Sequence, residues 1–128
     1  MDVKELIGND LFATYCGIEL TDVSEGEASA CMKIQPYHLN GVGIVQGGAI
    51  YTLADLALAA ASNSHGTTAV GLTSSISYFK AETSGILTAK ATEISLRRTV
   101  ATYRVDVTNQ NGELIATFQG TVYRKCDK

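Results

Sequence analysis

The chain has 128 residues, of which 45% are hydrophobic and 18% charged, with a formal net charge of −3. This balance is that of a globular protein and excludes a disordered or fibrous one. The acidic net charge argues against a nucleic-acid-binding protein. The longest apolar run, 47–61, carries an aspartate and is shorter than the ~20 residues of a membrane span. We therefore expect one domain over residues 1–128, without a nucleic-acid or membrane partner.

Cysteine and histidine usage bears on compartment and metal content. The three cysteines, Cys16, Cys31 and Cys126, are odd in number and widely spaced, which is typical of reduced thiols in a cytoplasmic protein. The first ten residues lack the apolar core of a signal peptide. The two histidines and three cysteines form no group with metal-ligand spacing, so we expect no metal and no separate cofactor.

Apolar periodicity predicts the secondary structure. The predicted elements are a short amphipathic helix within 3–15, strands over 17–23 and 28–35, a loop over 37–46, a helix over 47–62, and strands over 69–79, 86–96, 99–108 and 113–125. In the short helix, Leu6, Leu11 and Phe12 are the expected buried residues. The long helix is rich in alanine and leucine and apolar on every side, which indicates a buried helix.

Details of the strand pattern predict faces and turns. Alternation over 69–79 puts one set of side chains on one face, namely Val70, Leu72, Ser74, Ile76 and Tyr78. A phase shift within 86–96 indicates a β-bulge, and Asn111–Gly112 is the strongest hairpin signal. One long helix with five or six antiparallel strands predicts an α+β fold in which the sheet wraps around the helix. A single sheet layer leaves apolar surface and strand edges uncovered, so we expect an oligomer.

The long helix contains an isolated carboxylate and begins with paired glycines. Asp55 lies in an apolar segment where a charge is costly, and no cation stands three or four residues away on its helix. A solvated helix surface or a subunit contact would also explain it. Gly47 and Gly48 allow close approach of a ligand, and free N–H groups at a helix start stabilise an oxyanion. A simple turn is the alternative.

Two amides flank the glycine-rich loop before this helix. Asn40 and Gln46 can position water or polarise a carbonyl, and loop-closing hydrogen bonds are the alternative for each. Basic residues are concentrated in 65–128, which holds eight of them against five acidic residues, whereas 1–64 holds two against eight. An anionic ligand could use the basic half, or the charges could form a solvated face.

The stretch HLNGVGIVQGGAIYTLADLALAAASNS resembles the signature of hotdog-fold acyl-CoA thioesterases of the phenylacetate-pathway type, which are related to the hydroxybenzoyl-CoA thioesterases. That signature has Asn or Gln, six residues later a His followed by Gly-Gly, and an acid nine residues after the His. Asn40, Gly47, Gly48 and Asp55 fall in register, whereas Gln46 stands where the family usually has His. The resemblance extends over about residues 12–124 through the Asn63–Ser64 pair and the strand region.

The resemblance implies a hotdog fold and hydrolysis of an aryl- or medium-chain acyl-CoA to free acid and CoA. It implies that the Gly47 N–H polarises the thioester carbonyl, that Asp55 is general base or nucleophile, and that Asn40 and Gln46 support them. It also implies a homodimer or homotetramer whose site lies at the dimer interface. The residues expected to contact substrate are Gly48, Asn63, Thr73, Ser74 and Ser75, with Lys80, Lys90, Arg97, Arg98 and Arg124 as candidates for the CoA phosphates.

Two other functions remain open from the sequence. A non-catalytic acyl-CoA-binding or regulatory hotdog module is favoured by Gln46 in place of His. A hotdog dehydratase normally needs a His–acid pair, and this motif has no His near Asp55.

Overall fold

A computed structural model describes residues 2–125. The helices are α1 (Val3–Gly8), α2 (Leu11–Tyr15) and α3 (Gly47–Ser62), and a short 3-10 turn covers Pro36–His38. The strands are β1 (Ile18–Ser24), β2 (Glu27–Lys33), β3 (Ala69–Tyr78), β4 (Ile86–Leu96), β5 (Val100–Thr108) and β6 (Leu114–Arg124). Within the described residues no helix is long and apolar enough to cross a membrane.

The six strands form one antiparallel sheet in the order β1-β2-β4-β5-β6-β3, and α3 packs across its inner face. Small side chains let the helix lie close to the sheet, because Ala30, Ala89 and Ala91 are all fully buried on that face. At Gly120 a Cβ atom would lie 2.8 Å from Leu58 Cδ2, so only glycine fits without a shift. The predicted sheet around one long helix is confirmed.

The predicted helix within 3–15 is wrong in its continuity and in its buried face. Asp10 caps a second helix by accepting a hydrogen bond from the Ala13 N–H, which separates α1 from α2. Leu11 and Phe12 are 78% and 65% exposed, and Leu6 is exposed too. Ile7 and Ala13 are the residues of these helices that are buried instead.

Strand β3 forms one edge of the sheet, and a bulge changes its face pattern. The pairing with β6 shifts register between Gly71 and Thr73. Val70 therefore lies on the opposite face from Ser74 and Tyr78, and the prediction that all five alternating residues share one face is wrong. The bulge predicted in β4 is confirmed by a register shift between Glu93 and Ser95.

Candidate active site

The N-terminus of α3 presents two free backbone donors. Gln46 is the N-cap residue in an extended conformation, and its own N–H donates to the His38 carbonyl at 2.8 Å. Gly47 and Gly48 follow, and within residues 2–125 neither N–H has an acceptor. The partial positive charge of the helix start adds to these donors. The arrangement can bind a carbonyl oxygen that gains negative charge.

The Gln46 side chain folds over the start of the helix instead of capping it. A Cβ atom at Gly48 would lie 2.6 Å from Gln46 Oε1, so the amide occupies the space that a larger residue would need. No hydrogen bond caps the helix from this side chain. Its amide is therefore placed beside the two free N–H groups.

Asn40 organises the loop that leads into α3. Its Oδ1 accepts hydrogen bonds from the Val42 and Ile44 N–H groups, at 3.0 and 3.3 Å. Its backbone N–H also donates to the Ile44 carbonyl at 2.7 Å. These are the loop-closing bonds that the sequence left as an alternative. A contact of Asn40 with water or a leaving group stays a prediction.

Asp55 is open to solvent on the outer stripe of α3 and has no hydrogen-bond partner within residues 2–125. Partial burial against the apolar helix raises its pKa, and the nearby Asp10 carboxylate raises it further. Eight residues separate Asp55 from Gly47, which is ~12 Å along the helix axis. Reacting groups must come within about 3.5 Å of each other. This axial separation favours a site in which Asp55 and Gly47 come from different chains.

A groove of about 930 Å³ runs beside the start of α3. It is mainly aromatic and apolar, and it reaches the Gln46 and Gly48 end of the helix. The residues that line it are Phe12, Tyr15, Cys16, Tyr37, His38, Leu39, Gln46, Gly48, Ala49, Tyr51 and Thr52. A smaller cavity of about 350 Å³ lies near Gly47 and includes Asn40 and Tyr78 in its wall.

The predicted pocket residues on β3 do not line this groove. Thr73 and Ser75 pair with outward positions of β6, and Ser74 faces α3, where its hydroxyl is hydrogen-bonded to that of Tyr51. Most of the aromatic wall comes from α2 and the 3-10 turn, where the sequence singled out only Phe12, and as a buried residue. The available signal was Asp10, whose side chain caps α2 and starts a separate helix there.

Asn63 closes the opposite end of α3. Its Nδ2 donates to the carbonyls of Ala59 and Ala69, and its Oδ1 accepts from the Ala69 N–H at 2.9 Å. The helix is about 24 Å long by its residue count, so Asn63 is remote from Gly47. Asn63 does not line the groove of its own chain, and its contact with substrate stays a prediction.

The predicted phosphate-binding residues do not form one cluster. Lys80 is neutralised by Glu82 at 3.0 Å beside the smaller cavity, and Lys90 lies in a shallow groove with Arg104 on the outer face of the sheet. Arg124 donates from Nη1 to the backbone carbonyls of Arg97 and Arg98, so these three arginines are neighbours. Only the arginines remain together as candidates for a polyanion.

The two histidines are structural. His38 is buried, accepts from the Gln35 N–H at Nδ1 and therefore donates from Nε2 to the Cys16 carbonyl. It closes a capping box with Gln35 at the 3-10 turn. His65 is paired with Glu93 at 2.7 Å. Within residues 2–125 no three His, Cys, Asp or Glu side chains come together as a metal site. Cys16 and Cys31 are free thiols, and Cys126 lies outside the described residues.

Comparison with known proteins assigns the family. Residues 42–116 match the sequence profile of the thioesterase superfamily. The acyl-coenzyme A thioesterase PaaI of Escherichia coli (strain K12) is 32% identical over 91% of this chain and 84% of its own length. The solved structure of that organism's PaaI protein, from the phenylacetic acid degradation operon, superposes with a TM-score of 0.92 at 30% identity, over 97% of this chain and 91% of the other.

Two further solved structures support the same assignment. The TT0310 protein of Thermus thermophilus is 39% identical with a TM-score of 0.86, over 91% of this chain and 98% of the other. A hypothetical thioesterase protein of Streptococcus pneumoniae TIGR4, solved with coenzyme A, is 27% identical with a TM-score of 0.89, over 97% and 98%. The chain therefore belongs to the thioesterase superfamily. It has the hotdog fold and is a thioester hydrolase.

Proposed function

We propose that this protein hydrolyses an aryl- or medium-chain acyl-CoA to the free acid and CoA, at a site shared by two protomers. The distance between Asp55 and Gly47 within one chain carries the proposal. The backbone positions of Asp55 and Gly47 are ~12 Å apart along the helix, which supports an acid that comes from a second copy. The similarity to PaaI and to a structure solved with coenzyme A supports acyl-CoA as substrate.

The chemistry follows from the two halves of the shared site. The N–H of Gly47 binds the thioester oxygen and stabilises the negative charge that develops there. Asp55 of the partner copy either takes a proton from the attacking water or attacks the carbonyl carbon itself. In the first case a carbon–oxygen bond forms to water, the carbon–sulfur bond breaks, and the proton passes on to the CoA thiolate. In the second case the carbon–sulfur bond breaks as an Asp55 oxygen bonds to the carbon, and water then hydrolyses the resulting mixed anhydride to the free acid, which frees Asp55. The raised pKa of Asp55 makes the carboxylate a better base than an ordinary aspartate.

The exposed β3 edge fits a second copy. Val70 and Leu72 are 50% and 56% exposed on this strand, and its outer edge has no neighbour within residues 2–125. Exposed apolar edges are unfavourable in water and template pairing with another strand. We propose that two copies pair there, which gives a homodimer or a dimer of dimers. Arg97, Arg98 and Arg124 are the proposed contacts for the CoA phosphates, and the cytoplasm is the proposed location.

The experiment is a panel of aryl- and medium-chain acyl-CoAs with a thiol-detecting dye. Wild-type protein should release CoA from at least one of these thioesters. Binding of acyl-CoA without CoA release from any of them would contradict the proposed reaction and would favour the non-catalytic module.

A further inference from the structure

Tyr78, at the end of β3, is placed against the first residue of α3. Its hydroxyl donates a hydrogen bond to the Gly47 carbonyl at 2.9 Å. A Cβ atom at Gly47 would lie 3.0 Å from both Cζ and the hydroxyl oxygen of this tyrosine. The phenol therefore lies against the Gly47 Cα, so a Cβ atom there would require the tyrosine to shift.

This contact acts on the backbone that carries the second free donor. The Gly47 carbonyl and the Gly48 N–H belong to the same peptide plane. A hydrogen bond to the carbonyl polarises the amide and makes its N–H a stronger donor. Two successive glycines at a helix start also have wide conformational freedom. An external bond to the Gly47 carbonyl restrains that freedom.

We propose that Tyr78 is a positioning residue for oxyanion binding, which orients and polarises the peptide between Gly47 and Gly48 so that both N–H groups serve the thioester oxygen. The inference rests on the proposed function. Tyr78 acts through this peptide. It lines the smaller cavity together with Gly47, whereas Gln46 and Gly48 line the large groove.

A second hydrogen bond, one helical turn further along, anchors α3 to β3 without Tyr78. The effect of the Tyr78 hydroxyl on the first peptide can therefore be separated from anchoring of the helix. Tyr51 and Ser74 join their hydroxyls between α3 and β3. The Tyr51 ring also packs edge-on against Phe118, with 5.1 Å between ring centroids. The helix therefore remains attached to the strand when the Tyr78 hydroxyl is removed. Only the peptide between Gly47 and Gly48 then loses a hydrogen bond.

The test is Tyr78→Phe, which keeps the ring and removes the donor. The matched control is Tyr123→Phe, because the two tyrosines are similarly exposed, at 43% for Tyr123 and 48% for Tyr78. Within residues 2–125 the Tyr123 hydroxyl donates no hydrogen bond, in contrast to that of Tyr78. We expect kcat to fall about three- to tenfold in Tyr78→Phe, the value of one ordinary hydrogen bond, with KM unchanged and Tm lowered only by the few degrees that one such bond contributes. In amide NMR spectra of the unliganded protein, the Gly48 N–H resonance should move upfield in Tyr78→Phe only.

Three results would overturn the inference. Unchanged kcat with an unmoved Gly48 resonance would show that the Tyr78 hydrogen bond affects neither the peptide nor catalysis. A lower Tm with unchanged kcat would reduce Tyr78 to an anchor, and a raised KM with unchanged kcat would make it a substrate contact. If wild-type protein releases no CoA from any thioester, the proposed function fails and the role of Tyr78 in hydrolysis fails with it. The Gly48 resonance then still decides whether the tyrosine orients the peptide.

Discussion

Replacing Asp55 with asparagine removes the proposed base or nucleophile with little change in shape. Asn keeps the size of the side chain, but it neither takes a proton from water nor attacks a carbonyl. Because Asp55 has no hydrogen-bond partner within residues 2–125, the fold should be unaffected. Loss of a general base costs ~10²- to 10⁴-fold. We expect Asp55→Asn to lower kcat by at least ~10²-fold.

The same substitution should stabilise the protein in a pH-dependent way. Partial burial, and then the Asp10 carboxylate, raise the pKa of Asp55 above its unfolded value. The folded state therefore favours protonated Asp55, and the stability that this gives is present below the unfolded pKa of ~3.9 and is lost as pH rises through the folded pKa. At about pH 7 the ionised Asp55 carboxylate lowers the stability of the folded state, whereas Asn at this position carries no charge. We expect a higher Tm for Asp55→Asn at neutral pH and no difference in strong acid.

The assay combines CoA release at saturating substrate with thermal unfolding at several pH values. Asp22→Asn is the control, since Asp22 is an exposed carboxylate on β1 that the site does not use. The control should leave kcat unchanged. An Asp55→Asn protein that retains turnover within a few fold of wild type would refute the role of Asp55. A Tm difference that is independent of pH would refute the account of its raised pKa.

The remaining predictions concern Gln46, its neighbour Gly48 and the oligomeric state. Gln46→Ala should lower kcat, by up to ~10²-fold if its amide contacts the carbonyl, and Gln46→His should be tolerated and add a titration near pH ~6.5. Gly48→Ala should lower kcat as Gln46→Ala does, because the added Cβ would lie 2.6 Å from Gln46 Oε1 and would displace the amide. In the double variant, Gly48→Ala should cause little further loss. Additive losses in kcat would contradict this coupling. Analytical ultracentrifugation at micromolar concentration should find a dimer or tetramer, and a single species near 13.6 kDa would contradict the shared site.

The sequence predicts the centre of the fold well because α3 is defined by local features. Paired glycines begin an uninterrupted apolar run and Asn63 ends it, so the predicted 47–62 and the observed Gly47–Ser62 coincide. The antiparallel strands follow from their alternation. The thioesterase family is indicated by the resemblance of the stretch with Asn40, Gly47 and Asp55 to that family's signature, which tertiary packing does not alter.

The walls of the site could not be predicted in the same way. A single extra residue in β3 reverses the faces on either side of it, and the run around Leu72 carries no local sign of the bulge. The sequence places the basic residues in one half of the chain. In the structure Lys80 is paired with Glu82, and Lys90 lies on the outer face of the sheet, so neither lies beside the three arginines. The pairing of β3 with β6 joins residues far apart in the chain, so periodicity does not reveal it, whereas the Lys80–Glu82 pair is local.

Subunit complementation tests the central claim most directly. Asp55→Ala and Gly47→Pro protomers, each inactive alone, should be mixed and exchanged. Gln46 has φ −65° and ψ 137°, a conformation suited to the residue before proline, and proline is favoured at the first helical position. Gly47→Pro therefore removes the N–H donor while the helix still begins there, although the Tyr78 ring must move slightly to admit the added Cβ.

A heterodimer of these two variants would contain one site with both Asp55 and the Gly47 N–H intact. Random pairing makes half of the dimers mixed, so the mixture should regain about a quarter of wild-type activity per protomer. Verified heterodimers that remain as inactive as the separate variants would contradict a site built from two chains.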